Sequence, residues 1–394
     1  MLRAFTLQNF QSFKEPTRIS LELNRHTPED DRSCLSATGA RLAKATAIIG
    51  ANASGKTTLL KSLAFLAWFV KNSFHAKPDT LIPVEAHFST PDEPSTFEVE
   101  FDMDGIEWRY LLSVSPERVH HEALYARHSR AFSYVFIRNW DAQKQAYQVK
   151  QQQFGLLQKE AEKVRPNASL LATAAQYQVD IALQFAELPI FNNVDALGRL
   201  PMDRSQILNI SQFYADHAEM RQQMAALLHK WDFGLSDVEL KKHEVTREDG
   251  TSEEIYLPFG VHNIDGKEHR LMFLHESSGT QGAFLLLARI LPALQHGGLA
   301  VIDELESDLH PHMMVPILDL FFSPKQNPHH AQIIFTSHSL EVLSLLHKAQ
   351  VILVEKDQAC ASTAWRLDSV KGVRADDNLY AKYMAGAYGA VPQL

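Results

Sequence analysis

The chain has 394 residues, 45% hydrophobic and 22% charged, a balance that fits globular units with a sizeable core and excludes a low-complexity polymer. A formal net charge of −9 gives no whole-molecule basic field of the kind that marks a nucleic-acid binder, and leaves only local basic patches open. Two distant cysteines, Cys34 and Cys360, exclude a disulfide scaffold and fit a reducing cytoplasm.

Residues 1–10 alternate instead of forming an apolar export signal, and residues 2–7 and 19–23 read as short strands around a turn at Glu15 and Pro16. Residues 45–49 are a short apolar run with the length of a buried strand. They lead into Gly50, Ala51, Asn52, Ala53, Ser54, Gly55, Lys56, Thr57 and Thr58, and then into a helix-periodic stretch. Strand, glycine-rich turn and helix in this order form a phosphate-binding loop. Gly50 and Gly55 let successive N–H groups converge on an anion, and the helix adds its positive end. Lys56 reaches the β and γ phosphates, and Thr57 offers a hydroxyl to Mg²⁺. The most apolar helix, residues 59–70, contains Lys61 and is shorter than the roughly 20 residues that a membrane span needs, so it is predicted to be a core helix.

From residue 84 to 114 the period falls to two, with strands at 86–88, 96–101 and 108–114, and residues 122–125 and 134–137 extend an antiparallel sheet. Residues 142–163, rich in Gln, Lys and Ala, are expected to be helical, as are 169–185 and 207–231. The stripe of Ile210, Phe213, Met220, Met224, Leu227 and Leu228 reads as core, with a partner-binding face as the alternative. Strands return at 238–244, 254–257 and 267–273. The last third then alternates helix (281–294, 312–322, 340–347) with strand (299–302, 332–336, 351–355), which predicts a parallel sheet covered on both faces.

Four further groups carry chemistry. The strand 299–302 ends in Asp303 and Glu304, where a P-loop enzyme places a metal-holding carboxylate and a base for the attacking water. Ser277, Ser278 and Gly279 open a helix, a second candidate anion site. Ser307 and Asp308 follow the carboxylates, and His338 stands where the strand 332–336 ends. His310 with His312, and His329 with His330, lack the companions needed for a closed metal site. Glu355 with Asp357 invites comparison with a metal-dependent nuclease, but only Asp376 and Asp377 follow, in too short a tail, so 351–355 reads as the last strand of the sheet.

Gly50 to Thr57, Ser277 to Gly279, Asp303 with Glu304, Ser307 with Asp308, and His338 come in the order found in ABC-type ATPases. Over residues 1–140 and 240–394 the chain resembles their SMC/RecF-like branch, and within it the RloA/AbiL-type family of ATPases linked to phage defence. The stretches that carry this are residues 9–13, Glu276 to Thr280, Asp303 to Pro311, Phe335 to His338 and the tail from Tyr383 to Pro392. The resemblance implies an α/β ABC-ATPase head in three parts: an N-terminal lobe with the P-loop and an antiparallel β region (1–140), a projecting helical insertion (141–240) and a C-terminal lobe (241–394). It implies ATP and Mg²⁺ as cofactors, with Gly50, Asn52, Ala53, Ser54, Gly55, Lys56, Thr57 and Thr58 around the nucleotide and Thr57 and Asp303 on the metal. Glu304 and His338 would be catalytic. Ser277 and Gly279, with Ser307 and Asp308, would meet the nucleotide across an ATP-dependent homodimer. A separately encoded effector, such as a nuclease, is the implied partner. The turn departs from the transporter signature, reading Glu-Ser-Ser-Gly-Thr, and the glutamine that normally helps hold Mg²⁺ is not apparent, which implies slow or partner-dependent turnover. An ATP-gated DNA-repair clamp and a nuclease subunit are the rival expectations.

Overall fold

The computed structural model describes residues 1–246, 252–374 and 377–391; Asp376 and Pro392, singled out above, lie outside the described residues. A six-stranded sheet holds, in spatial order, Ile190–Asn192, Leu299–Ile302, Gln332–Thr336, Ala45–Gly50, Val351–Lys356 and Ser362–Arg366. The first five strands run parallel and the last is antiparallel to its neighbour. The strands beside the P-loop are apolar throughout because both faces are covered, and their alternate side chains serve two cores. Ile48, Val301 and Ile334 enter one core with the helix Lys56–Asn72. Ala47, Ala300 and Ile333 enter the other, with the helices Arg204–Asp216, Ala218–Lys230, Ser278–His296 and Met314–Phe322.

A seven-stranded antiparallel sheet lies against the first core, in the order Ala146–Gln151, Ser133–Asp141, Arg118–Arg127, Ile106–Ser115, Ser95–Met103, Leu2–Gln8 and Thr17–Ser20. Phe65 on the helix Lys56–Asn72 meets Phe97 of this sheet at 5.2 Å between ring centroids, so the helix that follows the phosphate loop is clamped between the two sheets. The strands Asp237–Thr246, Ser252–Ile264 and Lys267–Met272 form a third, antiparallel sheet. The architecture is the expected α/β one: a P-loop core with a mixed, mainly parallel sheet, and an antiparallel β region. Val351–Lys356 lies directly beside the P-loop strand, as expected of the last parallel strand. No helix among the described residues is long and apolar enough to cross a membrane.

Three local expectations fail. Residues 142–163 are not one helix. Ala146–Gln151 is a strand paired with Ser133–Asp141, and only Gln158–Glu162 is helical. Tyr147 and Val149 are buried and alternate with exposed Ala146, Gln148 and Lys150, a period of two that the Gln- and Lys-rich composition hides. Trp140 packs edge-on against Tyr147, and Arg138 lies 3.8 Å over the Tyr147 ring, which fixes the register. Residues 86–88 are not a strand, because Asn9 claims that segment by accepting from the His87 N–H at 3.1 Å. The helices within 141–240 do not project. Leu170–Gln176 packs on Lys56–Asn72, and Arg204–Asp216 and Ala218–Lys230 pack on Ser278–His296, because their apolar stripes need a core.

Candidate nucleotide site

Gly50 ends the P-loop strand under a tight constraint, since a Cβ there would lie 2.1 Å from the Val354 carbonyl oxygen. Gly55 caps the helix with φ of 109°, and a Cβ on it would meet Ser362 Oγ at 2.6 Å and Ser12 Oγ at 2.9 Å. The loop is therefore held from outside: Ser362 Oγ donates to the Ser54 carbonyl at 2.6 Å, and its N–H to the Ser12 carbonyl at 2.7 Å. Lys56 is buried, and its Nζ donates to the Gly50 and Ala51 carbonyls at 2.9 Å each. Burial pulls its pKa below the ordinary lysine value, opposed by the nearby carboxylates Asp303, Glu304 and Glu306.

Asp303, at the end of its parallel strand, sits opposite this loop. Thr57 Oγ1 lies 3.1 and 3.0 Å from its two carboxylate oxygens, and Thr336 Oγ1 donates to Asp303 Oδ1 at 2.6 Å. The Thr336 hydroxyl also accepts from the Glu304 N–H at 2.7 Å. That bond holds Glu304 in the left-handed backbone region, φ 53°, an unusual conformation for a residue with a side chain. The Glu304 carboxylate has two neighbours. His338 Nε2 is 3.6 Å from Oε1, and Arg199 Nη1 is hydrogen-bonded to Oε2. Glu306 reaches back to accept from the main-chain N–H groups of His338 and Ser339, fixing the histidine loop.

These residues open onto one cleft of about 500 Å³, lined by Asn52, Ala53, Ser54, Gly55, Lys56, Thr57, Thr58, Asp303, Glu304, Thr336 and His338, together with Gln11, Ser12 and Lys356. The buried Ser12 and Ser54 hydroxyls have no hydrogen-bond partner among the described residues, unmatched donors beside a glycine turn that suit an anion. The hard oxygen donors of Thr57 and Asp303 suit Mg²⁺. Donor set and cradle both fit a magnesium–triphosphate.

The Ser277 turn is elsewhere. Ser277 is exposed and caps its own helix, accepting from the Thr280 N–H at 3.1 Å. A Cβ on Gly279 would come within 2.9 Å of the Asp308 carbonyl oxygen, so this turn packs on the Ser307–Asp308 loop. Neither Ser277 nor Gly279 lines the P-loop cleft. Ser307 and Asp308 also lie outside it, beside a neighbouring cavity that Glu304 lines as well.

Several contributors were given no role by the sequence. Asn193 follows the short edge strand Ile190–Asn192 and grips the Asp303 backbone both ways, accepting from its N–H at 2.7 Å and donating to its carbonyl at 3.0 Å. Arg199 comes from the same turn, which closes through the Leu200 N–H and the Asn193 carbonyl at 2.8 Å. Thr336 ends an apolar strand where any residue would satisfy the pattern. The hydrophobic edge of Ile190–Asn192 was the one legible clue, too short to separate from a loop.

A parallel sheet whose carboxyl ends carry a phosphate loop, a hydroxyl-bound aspartate and an adjacent glutamate defines a P-loop nucleotide-binding domain. The chain belongs to the family described as "AAA domain, putative AbiEii toxin, Type IV TA system", whose model matches residues 45–344. The sequence matches no curated protein. Among solved structures, the crystal structure of the SmcHead bound to the C-winged helix domain of ScpA aligns with a TM-score of 0.48 and 13% identity, over 94% of this chain and 99% of that one.

Proposed function

We propose that this chain is an ATP-hydrolysing head of ABC/SMC type that dimerises around ATP and acts in phage defence, in the manner of RloA/AbiL-type proteins, by sensing infection and controlling a separately encoded effector in the cytoplasm. The observation that carries the catalytic part is the Thr57–Asp303–Thr336 cluster, which brings the P-loop hydroxyl and the strand-end carboxylate within hydrogen-bond distance and seats Glu304 beside them. The P-loop N–H groups and Lys56 bind and orient the triphosphate. Mg²⁺ held by Thr57 and Asp303 would neutralise charge on the phosphoryl group. Glu304 takes a proton from the attacking water, and His338, near its other oxygen, steadies that carboxylate.

In this reading residues 1–140 and 241–394 are the two lobes of the head and 141–240 couples them. Ser277 and Gly279 of one copy meet the nucleotide on Lys56 of the other, with Ser307 and Asp308 between the two sites. The exposure of Ser277 and its place outside its own P-loop cleft support this arrangement. The defence role is supported by the toxin–antitoxin wording of the family description alone. Phosphate release from ATP by the purified chain with Mg²⁺, compared with Glu304→Gln, tests the chemistry. Equal rates for the two proteins would remove Glu304 from it.

A further inference from the structure

Glu304 lines two cavities. One is the P-loop cleft; the other, of about 80 Å³, lies between the turn 193–202, the helix Arg204–Asp216, the helix Ser278–His296 and the loop 304–309. The second cavity has apolar walls from Ile210, Leu285 and Leu286, and four charged groups: Arg199, Arg289, Glu304 and Asp308. Their pairing is uneven. Arg199 is bonded to Glu304 and lies 3.7 Å from Asp308, so both carboxylates are committed to one guanidinium. Arg289 is half-buried and has neither an ion pair nor a hydrogen bond among the described residues. Burial pulls its pKa below the ordinary arginine value, only partly offset by Tyr214, whose hydroxyl is already donated to the Phe284 carbonyl at 3.1 Å. A guanidinium offers five donors in a planar fork matched to carboxylate or phosphate, and leaving it partly desolvated and unpaired is costly.

We propose that this cavity is a binding site for a small oxyanion, phosphate or carboxylate, held between Arg289 and Arg199, and that its occupation frees Glu304. The anion supplies the counter-charge that Arg289 lacks. It competes with Glu304 for Arg199, and it repels the Glu304 and Asp308 carboxylates. Glu304 then swings from its arginine toward the P-loop cleft, where His338 is its remaining neighbour. A carboxylate tied to a guanidinium is a poor proton acceptor, so the cavity becomes a control on turnover. That consequence rests on the hydrolytic role proposed for Glu304; the binding site does not.

The test separates the two. Inorganic phosphate and acetate are titrated calorimetrically, each on its own, into the full-length Lys56→Ala chain without nucleotide, which removes the P-loop lysine from the readout. Phosphate, acetate or both should bind, and adding Arg289→Met should weaken binding about tenfold, the loss expected for one charge-assisted pair. Arg289→Lys should recover part of it, which distinguishes a lost charge from a damaged fold. No binding of either anion, or binding indifferent to Arg289→Met in a chain that melts as the parent does, overturns the site. Separately, Arg199→Ala in the otherwise native chain should raise the kcat for ATP severalfold with little change in KM; an unchanged or lower kcat overturns the control. Anion binding in a chain that fails to hydrolyse ATP would keep the site and sink the hydrolytic reading instead.

Discussion

The two regions read as anion-binding from the sequence, the P-loop and the Ser277 turn, are built in opposite ways. The P-loop is over-determined within one chain. Its strand is central in the sheet, Ser12 and Ser362 brace its turn, and Thr57 ties it to Asp303, which Thr336 of the adjacent strand holds in turn. The Ser277 turn caps its own helix, exposes Ser277 to solvent, and packs on the Asp308 loop and not on the P-loop. A rigid cradle and a turn that lies outside it are what the proposed function requires of a site of two halves, in which the first binds and the second joins when another copy brings it.

Substitutions in the two regions should therefore separate binding, chemistry and assembly. The largest effect is expected from Glu304→Gln, which should lower the hydrolysis rate by about 10²- to 10⁴-fold while nucleotide affinity persists, as read by phosphate release alongside equilibrium binding. Lys56→Ala should weaken nucleotide binding on the order of tenfold to a hundredfold, by calorimetry, with the melting temperature nearly unchanged, since its two partners in the fold are loop carbonyls that water can replace. Thr336→Val should do the reverse. It strips a donor from the Asp303 carboxylate and an acceptor from the Glu304 N–H, and should cost about 1–3 kcal/mol in chemical denaturation. Ser277→Ala is the mildest for the isolated chain, about 1 kcal/mol for a lost cap, yet it should abolish ATP-driven association while leaving nucleotide binding intact. If Ser277→Ala weakened binding as much as Lys56→Ala, the contrast between the two regions would dissolve.

What could be read in advance follows from how local each signal is. The P-loop and the Asp303 strand are runs of consecutive residues whose spacing itself specifies strand, turn and helix, and they fell where expected. Ala146–Gln151 was hidden because its Gln and Lys residues favour helix, while two buried side chains, Tyr147 and Val149, decide the outcome through contacts with Trp140 and Arg138. Arg199 and Asn193 were invisible for another reason. They meet Glu304 and Asp303 across 105 and 110 residues of sequence, in a turn with no periodicity of its own. The same holds for Arg289, which is one cation on an otherwise apolar helix until the fold shows it without an ion-pair partner among the described residues.

The most direct test of the shared-nucleotide account is the mass of the Glu304→Gln chain by light scattering with and without Mg²⁺–ATP. The account predicts a doubling with ATP that Ser277→Ala or Lys56→Ala removes. A chain that stays at its nucleotide-free mass under saturating ATP, with binding verified in the same sample, would contradict it.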